Sequence, residues 1–463
     1  MIFDEYDDSD DEGILYNIVM NSEVFMNQNN ARTQSVAALF TEYVATNIIG
    51  QIGMSAYILV DTFFISIAGG ATGMAALNLV LPLYNLIFAF GDMFSVGSAT
   101  RFTICRARSE DEADRYFTNA IVWSLICSIP FMLLGLFCVP QILQLLGADA
   151  EVAAMGIPYT RIFMMFSPLF MLNRCVSAFT RNDGAPRTAM VAVFLSGIFN
   201  IIFDYIFMFP MKLGIAGAAL ATGISPIVSC AVCGTHMFTK KCSIRMKNWK
   251  PSWRMILQAS QLGTSAFIGD IASGVTMLVF NFLILSLTGT VGVAAFGVIC
   301  NIALVETAVF GGIAQGAQPL FSDFYGRRMT KQVSETLRLA MISSLVFALL
   351  FLLVFNLFPA AIVEIFNSEQ NPDMARLGVQ GMRLYFLGYL FAGANIVGAG
   401  YLSATESAMW SFLVSIVRGI VAIILCALLM AWLFGMTGIW LAFTAAEAIT
   451  AALLIVAIRR SRR

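Results

Sequence analysis

The feature that most constrains this chain is a succession of apolar runs, each long enough to cross a lipid bilayer. A spanning helix needs about 20 apolar residues. Gly, Pro and charged clusters divide the sequence into twelve such runs, which we predict as helices at 36–68, 74–104, 117–140, 156–180, 188–210, 214–238, 256–288, 292–323, 335–358, 378–404, 408–433 and 436–458. Only 12% of the residues are charged, against about 25% in an ordinary soluble protein. The sequence therefore predicts an all-α integral membrane protein.

An internal repeat divides the chain into two halves. At an offset of 219 residues, Gly73 aligns with Gly292 and Gly97 with Gly316, and the offset drifts to 221–222 toward the end of each half. This predicts two six-helix units. Because six is an even number, both units enter the membrane from the same side, as parallel repeats. Such repeats enclose a central substrate cavity and rock about it, so the pattern favours a transporter.

The repeat and the charge distribution predict five segments. They are an acidic disordered cytoplasmic tail (1–35), an N-terminal six-helix lobe (36–238), a basic cytoplasmic linker (239–255), a C-terminal six-helix lobe (256–458) and a basic cytoplasmic tail (459–463). Lys and Arg concentrate on alternate connections, so the positive-inside rule places both termini in the cytoplasm. We expect a multi-pass protein of the bacterial plasma (inner) membrane.

Two carboxyl residues of the first half are predicted to share a depth in the membrane. Asp61 and Asp204 each lie a few residues before the outer end of an ascending helix, and Asn200 is one turn below Asp204. Thr222, on the next helix, reaches a similar level. Two carboxylates, an amide and a hydroxyl form a hydrogen-bonded proton site or an oxygen cage for sodium. We expect no other metal site.

The second half supplies candidates for the substrate cavity. They are the polar residues within its predicted helices: Asp270, Glu306, Glu447 and Asn395. An ionisable residue inside a membrane span is a functional candidate by default, because burying its charge is expensive. Two readings remain open for these acids. They attract a cationic substrate, or they neutralise Arg383 and Arg418 structurally.

Other charged and metal-binding residue types receive structural interpretations. Arg101, Arg161 and Arg174 lie close enough to helix ends to extend toward the membrane surface. The spacing Cys230-x-x-Cys233-x-x-His236 imitates a metal motif, but it lies at the end of an apolar helix and is interpreted as packing. His236 is the only histidine, which disfavours triad and zinc chemistry. We predict no enzymatic activity and no cofactor.

Several ordered motifs resemble those of the multidrug and toxic compound extrusion (MATE) family over residues 36–458. They are Val60-Asp61-Thr62-Phe63-Phe64, Arg181-x-x-Gly184, Asn200-Ile201-Ile202-Phe203-Asp204-Tyr205-Ile206-Phe207, Gly217-Ala218-Ala219-Leu220-Ala221-Thr222 and Gly316-Ala317-Gln318-Pro319-Leu320. The resemblance implies a V-shaped pair of lobes that expels amphipathic, often cationic drugs in exchange for protons or sodium ions.

The family's first-lobe cation site falls onto Asp61, Asn200, Asp204 and Thr222, and all four residue types match. Glu306 and Glu447 resemble acids of a bacterial multidrug-export branch of the family. The chain departs from the family pattern where many members carry proline, because Thr46 and Ser265 occupy those positions. Asn395 stands in span ten where another branch places a sodium-binding acid.

These observations predict a secondary-active exporter of organic cations or toxic metabolites, monomeric in the bilayer, driven by a proton or sodium gradient and without a nucleic-acid partner. The alternatives are a lipid-linked saccharide flippase and another ion-coupled solute transporter of related fold. A flippase would be expected to carry several basic cavity residues for pyrophosphate. An intramembrane transferase would need polar catalytic residues on its loops, and the loops here are short and basic. No nucleotide-binding G-x-x-x-x-G-K-[ST] motif occurs.

Overall fold

The computed structural model describes residues 35–246, 250–366 and 371–461. The acidic tail predicted at 1–35 therefore lies outside the described residues, except for Ser35. In the described part the regular secondary structure is helical, and its α-helices are α1 (Val36–Gly70), α2 (Thr72–Arg106), α3 (Glu110–Phe137), α4 (Val139–Leu145), α5 (Ala150–Met165), α6 (Ser167–Asn182), α7 (Pro186–Met208), α8 (Ile215–Thr235), α9 (Trp253–Gly326), α10 (Thr330–Leu357), α11 (Pro359–Phe366), α12 (Pro372–Tyr385), α13 (Tyr389–Ala404), α14 (Ala408–Ile416) and α15 (Ala422–Ser461). Val417–Val421 forms a π-helical turn between α14 and α15.

The described helices account for the twelve predicted spans. Nine helical segments are long and apolar enough to cross a membrane, and the α5–α6 pair, bent by 46°, forms a tenth. Two of these segments contain a single residue with non-helical dihedral angles, Gly289 in α9 and Gly435 in the segment that ends with α15. Dividing both segments at that glycine gives twelve spans and confirms the predicted fold class.

Four glycines turn the chain between consecutive spans. Gly70, Gly214, Gly289 and Gly435 have φ values of +56°, +55°, +66° and +55°, in the left-handed region where glycine avoids the steric cost of a Cβ atom. Gly70 and Gly289 are 219 residues apart, and Gly214 and Gly435 are 221 apart. The repeat seen in the sequence is therefore also a repeat of turn geometry.

The start of α1 is regular at the position where the family resemblance suggested a proline. Thr46 donates its hydroxyl to the Glu42 carbonyl oxygen at 2.8 Å, within the helix. Non-helical dihedral angles occur only at Gly70 within the continuous segment 36–106. A side-chain hydrogen bond to the preceding turn thus replaces the kink that a proline ring would produce.

Each half has its own apolar core. In the first half, Phe163, Met164 and Met171 are fully buried. In the second half, Phe310 and Trp440 are fully buried within a larger cluster that also includes residues of α10, α12 and α13. We refer to α1–α8 as the first half and to α9–α15 as the second half. The end of the bundle that carries residues 107–109, 183–185, 239–252 and 327–329 is called the linker face.

The two halves meet through backbone contacts near the linker face. A Cβ atom added to Gly97 of α2 would overlap the carbonyl group of Ala259, and one added to Gly263 of α9 would overlap that of Met93. Glycine permits this approach because it has no side chain to separate the helices.

The same contact recurs at the repeat-related position. A Cβ atom on Gly312 would lie 2.6 Å from Ile48 Cα, and one on Gly316 would lie 2.7 Å from Val44 Cα. Gly316 is the repeat partner of Gly97. The α1–α2 arm and α9 therefore pack backbone to backbone on both sides of a pseudo-twofold arrangement.

We predict that Gly97→Ala lowers the thermal stability of the purified protein in detergent. Overpacking of a tight contact costs about 1–3 kcal/mol, and here the new methyl group meets backbone that cannot rotate away. Gly297→Ala is the matched control, because a Cβ atom there has no neighbour within 4 Å. Equal melting temperatures for the two variants would show that the contact between the halves is not tight in solution.

Candidate functional site

The buried face of α7 presents Asn200 and Asp204 to the interior of the first half. Buried positions recur along α7 every three to five residues, at Ala189, Ala192, Gly197, Asn200, Asp204 and Met208. This spacing is that of one helical face. Asn200 and Asp204 are both 0% exposed, so their polar groups require partners within the protein.

Asn200 links Asp204 to Thr222 of α8. With its NH2 group directed at Asp204, the Asn200 amide donates to Asp204 Oδ2 at 3.2 Å. Its oxygen then accepts from the backbone N–H and the hydroxyl of Thr222, each at 3.2 Å. This orientation satisfies both ends of the amide, and it fixes the position of the Asp204 carboxyl group.

Asp61 of α1 completes the group. Its carboxyl is a hydrogen-bonding neighbour of the Asp204 carboxyl, and its Oδ1 atom is buried without a hydrogen-bond partner in the described part of the chain. No described Lys, Arg or His forms a salt bridge with Asp61 or Asp204. The structure therefore brings together the four residues Asp61, Asn200, Asp204 and Thr222. We call them the carboxyl-pair site.

Tyrosines surround this site, and the sequence reasoning missed them. Tyr57 lies one turn before Asp61 on α1, and a Cβ atom on Gly197 would be only 3.1 Å from its ring. Tyr159 is 3% exposed, and Tyr57 and Tyr159 are both close enough to feel the charges of Asp61 and Asp204. The one-turn spacing from Asp61, with a glycine opposite, was the available signal for Tyr57.

A cavity of about 320 Å³ lies between the two halves and reaches the carboxyl-pair site. Tyr57 and Thr222 line it from the first half, and Asp270 and Asn395 line it from the second. Its charged lining residues in the described chain are Asp92, Arg174, Arg181, Asp270 and Arg418. Thr222 thus contacts both the cavity and the Asn200 amide.

Of the four cavity candidates of the second half, Asp270 and Asn395 line this space, whereas Glu306 and Glu447 lie behind its surface. Glu306 is 1% exposed, and neither carboxyl oxygen has a hydrogen-bond partner among the described residues.

Glu447 holds two cavity-lining side chains in place. Its carboxylate accepts from Arg418 Nε at 2.8 Å and from the Asn395 amide at 2.6 Å. Arg418 lies on the π-helical turn Val417–Val421. Of the two readings given for the acids of the second half, neutralisation of Arg418 therefore describes the contacts of Glu447. In the described chain, Arg383 has no salt bridge.

The prediction that Arg174 extends toward the membrane surface is wrong. Its guanidinium lines the cavity, lies 3.6 Å from Asp92 Oδ2 and sits 4.5 Å from the centre of the Phe88 ring. Arg101 also has an interior partner, since it forms a salt bridge with Glu406 of the other half. In both cases the carboxylate comes from a different helix, so distance from a helix end was a poor guide.

A polar network joins the halves beneath the cavity. Gln318 of α9 donates to Thr100 Oγ1 at 2.8 Å and accepts from Asn182 at 3.2 Å. Thr103 donates to the same asparagine at 2.9 Å. Gln318 belongs to the motif 316–320 of the sequence analysis, and this network gives that motif a structural role.

The linker residues are anchored on the first half. Asp183 accepts hydrogen bonds from His236 Nε2 at 2.8 Å, from Ser243 N at 2.9 Å and from the Ser243 hydroxyl. Cys242 lies close enough that Asp183, His236 and Cys242 have the arrangement of metal ligands. Burial raises the pKa of the Cys242 thiol, which disfavours the thiolate that binds metals. Because both Asp183 oxygens already have donors, this cluster is explained as an anchor.

Two repeated helical halves that enclose a polar cavity, with uncompensated carboxyl groups at its edge, define a multi-pass membrane transporter of the two-repeat class. The family model MatE matches residues 47–206 and 266–428. This is more than half of the chain, and the protein belongs to that family, the MATE transporters. The resemblance inferred from the sequence is confirmed.

Relatives and solved structures agree with this assignment. The chain is 27% identical over 421 residues to the multidrug export protein MepA of Staphylococcus saprophyticus, covering 89% of this chain and 92% of that protein. It is 26% identical to MepA of Staphylococcus aureus with the same coverage. Its fold is similar to an outward-facing MATE multidrug resistance transporter (TM-score 0.86, 19% identity, 93% and 96% covered) and to Vibrio cholerae VcmN (0.85, 19%, 92% and 97%).

We predict that Glu447 and Arg418 are energetically coupled. Arg418→Met leaves a nearly buried carboxylate without its partner, and breaking such a pair costs about 3–5 kcal/mol. The double variant Arg418→Met/Glu447→Met should be more stable than Arg418→Met alone, because it leaves no unpaired charge. Melting temperatures of the purified variants provide the double-mutant cycle. Strictly additive losses would contradict the coupling.

Proposed function

We propose that this protein is a secondary-active multidrug exporter that exchanges amphipathic, mostly cationic compounds for protons or sodium ions. The observation that carries the proposal is the carboxyl-pair site. Asp61 and Asp204 are neighbours without a basic partner in the described chain, and Thr222 connects them to the cavity. The names of the MepA relatives support multidrug export.

The carboxyl-pair site is suited to bind a small cation. Two carboxylates placed side by side in a water-poor interior repel one another, and a proton or a metal ion between them removes that repulsion. The Asn200 amide donates to Asp204 rather than offering it an oxygen. A shared proton fits this orientation directly, whereas a sodium ion would require the amide to turn over. We therefore favour proton coupling.

Exchange requires that the ion and the drug favour opposite states of the transporter, or exclude one another. Thr222 provides the link, because its hydroxyl and backbone N–H both bond to Asn200 while its side chain lines the cavity. Protonation of the pair changes what Asp204 accepts from Asn200. The shape and polarity of the cavity wall at α8 then change with it, and drug is released.

We further propose that the first and second halves act as the two moving lobes, 36–238 and 256–458, of a monomer in the bacterial inner membrane, with the linker and both termini cytoplasmic. The linker face is rich in Lys and Arg, in accord with the positive-inside rule. Since the halves meet near that face, the described state is closed to the cytoplasm. It is the state that releases drug outward and binds protons.

This orientation predicts the behaviour of C-terminal fusions expressed in a Gram-negative host. A fused green fluorescent protein should fluoresce, and a fused alkaline phosphatase should stay inactive, because that enzyme folds only outside the cytoplasm. An active phosphatase fusion together with a dark fluorescent one would reverse the topology.

We predict that Asp204→Asn abolishes gradient-driven efflux while membrane abundance stays near normal. The substitution keeps side-chain volume and most hydrogen bonding, but removes the group that binds the ion. The measurement is export of a fluorescent cation from everted vesicles, with a proton gradient and a sodium gradient imposed in turn.

Thr222→Ala is the graded companion variant and should reduce efflux by less, since it removes one neutral hydroxyl and leaves both carboxyl groups. Ion-coupled efflux at the wild-type rate by a well-expressed Asp204→Asn protein would refute this mechanism. It would direct attention to Asp270, Glu306 and Glu447.

A further inference from the structure

Most of the charged residues around the cavity are already paired. Arg174 lies 3.6 Å from Asp92, and Arg418 lies 2.8 Å from Glu447. Pairs of this kind compensate the cost of burying charge. Two lining residues remain, Arg181 of the first half and Asp270 of the second.

Arg181 has no internal partner in the described chain. It forms no salt bridge or side-chain hydrogen bond there, and its Nε atom is buried without an acceptor. Arg181 lies in the last turn of α6, where the helix dipole favours a positive charge. The dipole does not supply an acceptor for the guanidinium N–H groups, which face the cavity that Arg181 lines.

The same face of α6 carries other groups that line the cavity. Asn173, Arg174, Ser177 and Arg181 follow one another at spacings of one, three and four residues, and all four line it. The Arg174 guanidinium is occupied by Asp92 and the Phe88 ring. Arg181 is therefore the free positive group of this face.

Asp270 provides the opposite charge from α9. Its carboxyl lies beside that of Asp92, and its Oδ2 atom is buried without a hydrogen-bond partner in the described residues. The group formed by Asp92, Arg174 and Asp270 thus has two carboxyls and one guanidinium. It attracts a cation.

We propose that the cavity recognises zwitterionic amphiphiles, whose cationic group binds at Asp270 and Asp92 and whose carboxylate binds at Arg181. This inference rests on the proposed function and names a substrate class for it. A planar guanidinium matches a carboxylate through two parallel N–H···O bonds. Aromatic lining residues such as Tyr84, Phe88 and Phe170 supply the apolar surface between the two poles. Such a molecule would touch both halves at once.

The test compares binding of two dyes to the purified protein by fluorescence polarisation. Rhodamine 110 carries a delocalised cation and a free carboxylate, whereas rhodamine 123 is its methyl ester and keeps only the cation. Loss of one charge-assisted contact should weaken rhodamine 110 binding to Arg181→Gln about tenfold, equivalent to about 1.4 kcal/mol. Binding of rhodamine 123 should change less than twofold.

Three further variants define the result. Arg181→Lys should retain part of the preference for rhodamine 110, because it keeps the charge but loses the fork geometry. Asp270→Asn should weaken both dyes. Arg187→Gln is the matched arginine control, since Arg187 is 74% exposed and pairs with Glu42 outside the cavity. It should change neither.

Equal losses of both dyes in a well-folded Arg181→Gln protein, or wild-type affinity for rhodamine 110, would overturn the proposal. So would Arg181-dependent binding of farnesyl pyrophosphate without any preference for rhodamine 110, which would indicate a pyrophosphate site instead. Efflux assays separate this from the proposed function. If wild-type vesicles export neither dye under either gradient, the exporter proposal fails while the binding result still decides the role of Arg181.

Discussion

A charged side chain inside a membrane-spanning bundle costs about 2.5–3.5 kcal/mol on the insertion scale, and this cost organises the interior of the protein. Arg418 with Glu447, and Arg174 with Asp92, offset it by pairing across helices. The carboxyl-pair site has no such internal compensation in the described chain. A site left in this condition depends on a ligand to complete it, which is the requirement for a protein whose charge state must change during each cycle.

The approach of the two halves is the second constraint, and it determines where the cavity opens. Glycines such as Gly97 and Gly316 bring the helices into backbone contact near the linker face. The network around Gln318 joins the halves beneath the cavity. Because these contacts involve no bulky side chains, they can separate without exposing a large apolar surface. The structure thus combines rigid halves with an interface that is specific but small in side-chain content.

Much of the architecture could be predicted from sequence because the bilayer imposes a simple rule on helix length. The twelve spans, the repeat and the grouping of Asp61, Asn200, Asp204 and Thr222 follow from apolar runs and from depth along each helix. The prediction failed for Arg174, which was assigned to the membrane surface. Its partner Asp92 is 82 residues away in the chain, and nothing in the local pattern of either residue indicates that they meet.

The sequence by itself determined the membrane class, the number of spans and the level of each polar residue, since these depend on composition and on a fixed rise per residue. The tertiary structure alone decided which polar residues face one another. It paired Glu447 with Arg418, left Glu306 without a partner in the described chain, and directed Arg181 and Asp270 into one cavity. Such choices depend on how each helix is rotated about its axis. Packing against neighbouring helices sets that rotation, and a single helical segment does not contain it.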